Sequence, residues 1–374
     1  MTASEVTDLQ NPSEPHLSEA WFELLARTAL PPRTTLSQLE SESTQGQQRS
    51  ILPVMRLQQS PWRLEALQTF YSPIYGPVCH RTPSLQPLTQ VFRALRKSEP
   101  AATSVVDLSP LATESAFIGI AKQALQEAGW LVDRYFRFGN WYAPIEAPSF
   151  DAFMQARPSR LRNTLNRTRK KVEKTGAVTS LIKDSGDSRL EEAITDFVSV
   201  YNKSWKRPEP FPEFIPGLCR LAASQGWLRL GLIHHEGKPV AAQIWLVSGG
   251  RAQIVKLAHD NDWPHGSIGT LLTAELMKYV IETDKVHEID YLIGDDAYKR
   301  DWMPLRRERL GLIAFNPGSL RGLLEAAKHF GGQAIKHLRS SCLPGPRSSN
   351  HCGARHFPAR FNLSRSPGSG KPAA

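Results

Sequence analysis

The order of predicted elements between residues 177 and 315 restricts the fold more than any other feature of the sequence. Hydrophobic periodicity and turn signals predict the order β-α-α-β-β-β-α-β-α-β. The predicted strands lie at 177–182, 228–234, 239–248, 252–259, 288–293 and 309–315. An amphipathic helix at 269–283 separates the fourth strand from the fifth. This order predicts an α/β fold with a mixed sheet.

The first half of the chain repeats part of this order. Two strands, a helix, a third strand and a second helix are predicted at 52–57, 62–71, 85–96, 104–108 and 114–129. Asp107 lies in the strand that follows the long helix, as Asp290 does in the second half. The match is in pattern rather than in residue identity, and it indicates two tandem copies of one fold.

The composition excludes whole-chain disorder and a membrane-spanning protein. Hydrophobic residues make up 40% of the chain and charged residues 22%, which is typical of globular domains. No run approaches the ~18 consecutive apolar residues that a spanning helix needs. The first residues lack the basic and apolar run of a secretory signal. We therefore expect a cytoplasmic protein.

The net charge of +10 is concentrated in two segments. Residues 157–174 hold eight Arg or Lys and one acid, and residues 340–374 hold five and no acid. The remainder of the chain is slightly acidic. An anionic partner is therefore expected to bind at one of these two segments rather than across the whole surface.

The chain has four cysteines, Cys79, Cys219, Cys342 and Cys352. They are too few and too scattered to form a disulfide framework. The last two lie near His351 and His356, but this spacing matches no common zinc finger. We therefore expect no metal site.

Composition and pattern together predict six segments. Residues 1–15 and 340–374 are expected to be disordered tails, because they cannot bury enough apolar surface to offset chain entropy. Between them the sequence predicts a degenerate first copy at 16–150, a basic connecting helix at 151–176, a second copy at 177–316 and a basic amphipathic helix at 317–339.

Five short motifs carry a resemblance to a known fold family. They read Arg-Pro-Ser-x-Leu-Arg-Asn-Thr-Leu-x-Arg at 157–167, Pro-Val-Ala-Ala-Gln at 239–243, Gly-Thr-Leu-Leu at 269–272, Ile-Asp-Tyr-Leu-Ile-Gly at 289–294 and Tyr-Lys-x-x-Trp at 298–302. In the predicted order, they resemble the GNAT-like acyl-CoA N-acyltransferases, and the two-copy arrangement resembles the FemAB/CelD-like branch. This resemblance implies two tandem GNAT-like domains joined by a basic helix, with acyl-CoA as cosubstrate and no permanently bound cofactor.

The loop that opens the helix at 269–283 is the predicted cosubstrate site. Backbone N–H groups converge at such a helix start, and the helix dipole adds partial positive charge that favours a pyrophosphate. The residues placed for this role are Gly266, Ser267, Gly269 and Thr270. The alternative is an ordinary loop, and the leading Arg or Gln of the usual acyl-CoA loop is absent here.

Acyl transfer from a thioester to an amine needs a proton acceptor for the amine and a proton donor for the thiolate. Tyr298 is the candidate donor and His259, at the end of a strand, is the candidate base. Asp295 is expected to cap the short helix that holds Tyr298. The alternatives are that Tyr298 packs against Trp302 and that His259 is a hydrogen-bonded loop residue.

The basic segment is a candidate site for an anionic acceptor. Arg160, Arg162 and Arg167 present guanidinium groups that match phosphate or carboxylate oxygens, and Lys299 is grouped with them as a substrate contact. The alternative is a solvated helix that links two domains. DNA is not expected as a partner, because aromatic residues for base stacking are absent from this segment.

The helix predicted at 317–339 has leucines on one side and Arg or Lys on another. It either docks on the preceding domain or lies on an anionic membrane surface, and Gly331 and Gly332 weaken it.

These features predict N-acyl transfer from acetyl-CoA or another acyl-CoA to an amine of a cell-envelope or polysaccharide-related acceptor, either a small molecule or an envelope precursor. One alternative is aminoacyl transfer from a charged tRNA to a cell-wall precursor. The other is a non-catalytic anion-binding module, which the missing Arg or Gln favours. The acceptor, the acyl group and the oligomeric state stay open.

Overall fold

The structure, a computed structural model, describes residues 14–42, 49–78, 83–97, 103–146 and 149–341. The strands in these residues are β1 Thr35–Glu42, β2 Arg49–Arg56, β3 Arg63–Ala66, β4 Val105–Ala112, β5 Leu131–Pro144, β6 Val178–Ile182, β7 Leu228–His235, β8 Lys238–Ser248, β9 Arg251–His259, β10 Glu288–Asp290 and β11 Leu305–Phe315. The α-helices are α1 Glu19–Thr28, α2 Leu85–Lys97, α3 Ala116–Glu127, α4 Phe150–Gln155, α5 Ser159–Glu173, α6 Leu190–Lys203, α7 Phe214–Ser224, α8 Ile268–Glu282, α9 Lys299–Trp302 and α10 Leu320–Ser341.

All described strands belong to one sheet in the order β1-β2-β3-β4-β11-β5-β10-β9-β8-β7-β6. Two neighbouring pairs, β3 with β4 and β9 with β10, are parallel, and the others are antiparallel. A parallel pair needs a crossover connection, which α2 supplies in the first half and α8 in the second. The predicted mixed α/β fold is confirmed.

The two halves share this sheet by exchanging a strand. β5 comes from the first half and pairs with β10 of the second, while β11 comes from the second half and pairs with β4 of the first. The two exchanged strands also pair with each other along the whole of β11. Asp107 and Asp290 lie in the second strand of the two parallel pairs, as the predicted repeat requires.

A buried polar network joins the exchanged strands to β10. Asp290 is 3% exposed and accepts hydrogen bonds from Asn140 Nδ2 of β5 at 2.5 Å and from Arg307 of β11. Arg307 also donates to Glu288 Oε1 at 2.9 Å and to Asn140 Oδ1 at 2.7 Å. Because buried charges are tolerated only when they are paired, this network fixes how the three strands are assembled.

Each face of the sheet covers its own hydrophobic core. Successive residues of a strand point to opposite faces. On β8, Ala242, Ile244 and Leu246 belong to a core with α1, α6 and α7, whereas Ala241 and Trp245 belong to a core with α5 and α8.

The helices and strands predicted in the second half are present, with small shifts at their ends. The first helix of the second half begins at Leu190, and its N-cap residue Arg189 makes no side-chain cap. In the first half the prediction missed α1, β1 and β5, and the strand predicted at 62–71 is reduced to β3.

The connecting helix predicted at 151–176 is present as two helices, α4 and α5, and α10 covers most of the helix predicted at 317–339. Of the predicted N-terminal tail, residues 1–13 lie outside the described residues, whereas a short 3-10 helix begins at Pro15. The C-terminal tail lies outside them from Cys342 onward. Contacts group residues 1–327 into one compact unit and 328–374 into another, and the predicted domain boundaries stay a prediction.

We expect Arg307→Met to lower the free energy of unfolding by ~3 kcal/mol or more, because it leaves Asp290 and Glu288 without their cation. The neighbouring Arg306 pairs with the exposed Asp295, so Arg306→Met should cost about 1 kcal/mol or less. Urea unfolding of both variants measures the difference. Equal losses would show that the network does not hold the exchanged strands together.

Candidate active site

A gap in the sheet opens where β9 and β10 separate. Their pairing ends at Gln253 and Asp290, yet β9 continues to His259. The carboxylate of Asp290 accepts from Leu292 N at 2.6 Å, and Leu292 takes a positive φ of 52°, so the chain turns away directly after β10. The second part of β9 therefore presents on this side an edge that β10 does not cover.

A β-bulge lies in β9 beside this gap. Trp245 of β8 pairs with Ile254 and Ile244 pairs with Lys256, which leaves Val255 as an extra residue. A bulge of this kind redirects the side chains that follow it and is frequent next to active sites. Here Val255 packs against the core with α6 and α7, and Lys256 contacts Glu209 in the loop between those helices.

The four residues predicted to bind the cosubstrate lie together at the start of α8. Gly266 has a φ of +104°, which favours glycine, and Ser267 is the N-cap without a side-chain hydrogen bond to the helix. Gly269 lies against His259, since a Cβ added to Gly269 would be 3.0 Å from His259 Nδ1. The predicted helix start therefore lies next to the end of β9, which borders the gap.

His259 is half-buried between the α8 loop and the α6–α7 loop. Its ring lies 4.6 Å from that of Trp205, centre to centre. Desolvation, together with the nearby Lys206, lowers the pKa of His259 below its usual value. The imidazole is therefore neutral at pH 7, the form that accepts a proton.

A cluster of two lysines, a glutamate and aromatic residues lines the gap on the α6–α7 side. Lys256 Nζ lies 2.5 Å from Glu209 Oε1, and the Tyr71 hydroxyl donates to Glu209 Oε2 at 2.5 Å. Lys206 lies over the rings of Tyr201 and Trp205 at 5.6 and 5.7 Å.

Burial and the neighbouring Lys256 lower the pKa of Lys206 to about 8. At pH 7 this group is still mainly the cationic ammonium, and it becomes a proton acceptor only as the pH rises through about 8. This cluster was not predicted, because Lys206 and Glu209 lie in a proline-rich segment between two helices that shows no motif of its own.

Tyr298, the predicted proton donor, is the N-cap residue of α9. Its side chain is 44% exposed, and its ring packs edge-on against Tyr291 at 5.8 Å. Desolvation raises the pKa of the Tyr298 hydroxyl above its usual value, followed by the effect of the Asp296 carboxylate. The phenol is therefore protonated at neutral pH, as a donor must be.

The expected cap by Asp295 was wrong. Its carboxylate accepts from Trp141 Nε1 at 2.6 Å and pairs with Arg306 Nη2 at 2.8 Å, so it links β5 and β11 rather than opening α9. Hydrogen bonds from Arg306 lower the pKa of Asp295, which keeps the carboxyl group ionised at neutral pH.

Lys299 does not face solvent as a surface contact for substrate would. Its side chain is 5% exposed, and its ammonium group donates to the carbonyl oxygens of Ile293 at 2.5 Å, and of Tyr291 and Gly294 at 3.3 Å each. It therefore holds the segment between β10 and α9 in place, beneath Tyr298.

The three predicted arginines lie along α5 and do not converge on one point. Arg160 Nη2 pairs with Asp301 of α9 at 2.5 Å, and Arg162 donates to the Gln155 carbonyl at 3.3 Å. Arg167 is exposed and lies about two turns beyond Arg160 on the same face of the helix. A Cβ on Gly266 would lie 3.2 Å from Thr168 Oγ1, so α5 runs beside the α8 loop.

Within the described ranges, no three His, Cys, Asp or Glu side chains gather in a way that would hold a metal ion. Cys79 and the cluster from Cys342 to His356 lie outside those ranges, whereas Cys219 is buried in α7. Among the described helices, none combines the length and apolar character that crossing a bilayer requires.

Residues 159–300 match the family model described as an acetyltransferase (GNAT) domain. This range includes β9, α8 and β10, which surround the gap. Over these residues the chain is similar to GNAT acetyltransferase domains. The predicted resemblance to GNAT-like proteins is therefore confirmed for this part of the chain. No curated protein matches the sequence.

Solved structures share the fold at low sequence identity. FemX is 10% identical, with 84% of this chain and 96% of FemX covered and a TM-score of 0.57. A conserved protein of unknown function from Bacteroides thetaiotaomicron is 11% identical, with 83% and 96% covered and a TM-score of 0.54. The C-terminal domain of a protein assigned as a lysylphosphatidylglycerol synthetase from Agrobacterium fabrum is 12% identical, with 87% and 93% covered and a TM-score of 0.51. These similarities concern the fold.

Proposed function

We propose that this protein is an N-acyltransferase that moves an acyl group from acyl-CoA to an amine across the gap between β9 and β10. The observation that carries the proposal is the position of His259. It ends the strand edge that β10 leaves uncovered, and it touches the helix start at Gly269. A pyrophosphate at that helix start and a thioester beside β9 would therefore belong to one bound molecule.

The start of α8 suits the pyrophosphate of the donor. Its first backbone N–H groups have no partner within the helix, and the helix dipole favours an anion there. Gly266 and Ser267 are exposed, and the Ser267 side chain does not cap the helix, which leaves the N–H groups of Gly269 and Thr270 for an anion. The fit does not need the missing Arg or Gln, since backbone groups supply the hydrogen bonds.

The uncovered edge of β9 suits the thioester. Backbone N–H groups that no longer pair with β10 are available to stabilise the negative charge that develops on the carbonyl oxygen. The acceptor nitrogen forms a bond to the carbonyl carbon and releases one proton to His259. The C–S bond then breaks, and the departing thiolate takes a proton from Tyr298.

The acceptor that we propose is an amine of a cell-envelope or polysaccharide-related molecule, as the FemAB/CelD-like resemblance implies. Two observations support an acceptor that also carries negative charge. The ammonium group of Lys206 lies over the rings of Tyr201 and Trp205 at the gap, and Lys256 adds a second cation on the same side.

Ser267→Asp tests the donor site. An aspartate at the N-cap accepts from the first-turn N–H groups and so occupies the groups that would bind pyrophosphate. We expect acetyl-CoA affinity to fall about tenfold while the melting temperature stays equal or rises. Calorimetric titration and thermal melts measure the two effects.

Ser267→Asn is the matched control, because it caps the helix without the charge. It should bind acetyl-CoA more tightly than Ser267→Asp does. Equal acetyl-CoA affinity in the wild type and the aspartate variant would place the donor elsewhere.

The pH profile of kcat tests the assignment of the base. If neutral His259 accepts the proton, kcat should rise with pH through a pKa below 6.5. The variant His259→Gln should lower kcat by ~10²–10⁴ while acetyl-CoA binding persists. His265→Gln, a change of the same kind in the following loop, should retain activity. A limb near pH 8 that survives in His259→Gln and disappears in Lys206→Gln would assign the base to Lys206 instead.

Aminoacyl transfer from a charged tRNA remains the second candidate, and the position of α5 favours it. This helix carries the basic segment 157–174 alongside the α8 loop, where an RNA backbone would find cations. Activity with charged tRNA that nuclease abolishes, together with no measurable acetyl-CoA binding, would select this function over the first.

A further inference from the structure

Helix α10 is held to the sheet by one of its faces. Ala326 is buried in a small cluster with Val105, Ile313 and Phe315 at the end of β4 and β11. Gly322 lies so close to the chain that a Cβ there would be 2.1 Å from the Asn316 carbonyl oxygen. The orientation of the first turns of α10 is therefore fixed.

A second face of the same turns exposes leucines to solvent. Leu320 is 84% exposed, Leu323 45% and Leu324 62%. Their spacing of three and four residues places them on one side of the helix. Leucines exposed together on a helix face mark an interaction surface more often than single exposed residues do.

The charge of this part of the chain is strongly positive. Residues 316–374 contain nine Lys or Arg and one acid, Glu325, so they carry +8 of the net charge of +10. Arg321 directly follows Leu320 in the first turn of α10, where its guanidinium lies 4.9 Å from the Trp62 ring centre. The partner must therefore offer both apolar volume and negative charge.

We propose that the exposed leucine face in the first turns of α10 binds the chain to an anionic phospholipid surface. Phospholipid supplies both requirements, because acyl chains accept the leucines and anionic headgroups attract the Arg and Lys residues. A second copy of this chain would bring two such positive segments together, which costs electrostatic energy. A nucleic acid would leave the leucines in water.

Vesicle sedimentation of the full chain tests the proposal. We expect binding to vesicles of phosphatidylcholine mixed with phosphatidylglycerol, weaker binding at high salt and little binding to phosphatidylcholine alone. The double variant Leu320→Gln/Leu324→Gln should reduce the bound fraction on the mixed vesicles about tenfold. Because both side chains are exposed, it should melt like the wild type.

The control replaces two leucines that are exposed on strands elsewhere, at 43% each, Leu36→Gln/Leu305→Gln, and should bind as the wild type does. Three results would overturn the proposal. These are no wild-type binding to the mixed vesicles, binding that the α10 variant leaves unchanged, and a wild-type dimer that the α10 variant converts to monomer without any vesicle binding.

Discussion

Strands β5 and β11 lie side by side at the centre of the sheet, and each also pairs with the half of the chain from which it does not come. Their hydrogen bonds, with the Arg307–Asp290–Asn140 network beneath them, make one sheet out of two similar halves. β10 pairs with β9 on one side, and its partner on the other side is β5, which comes from the first half. Without it, β10 would be a three-residue strand with a single partner.

This shared sheet places the gap. Because β5 holds β10 through Asn140, and Asp290 turns the chain at Leu292, β10 ends early while β9 runs on to His259. The uncovered edge lies between a helix start on one face and the Lys206–Glu209–Lys256 cluster on the other. The proposed acyl donor and acceptor thus approach the same edge from opposite faces of the sheet.

The parts of the site that the sequence predicted correctly are local in the chain. The helical period of α8 and the Gly-Ser loop before it identify a helix start without any tertiary information. The lysine cluster was missed because Tyr71 reaches Glu209 across 138 residues. Asp295 looked like a cap for the same reason, since its true partner Trp141 lies 154 residues away on the exchanged strand β5. Contacts between residues so far apart in the chain produce no local sequence pattern from which they could be predicted.

The most direct test of this account is a crystal structure of the protein with acetyl-CoA. The account predicts the pyrophosphate on the backbone N–H groups that follow Ser267, and the thioester against β9 in the gap between β9 and β10. Acetyl-CoA bound instead beside the first parallel pair, β3 and β4, or outside the sheet altogether, would contradict it.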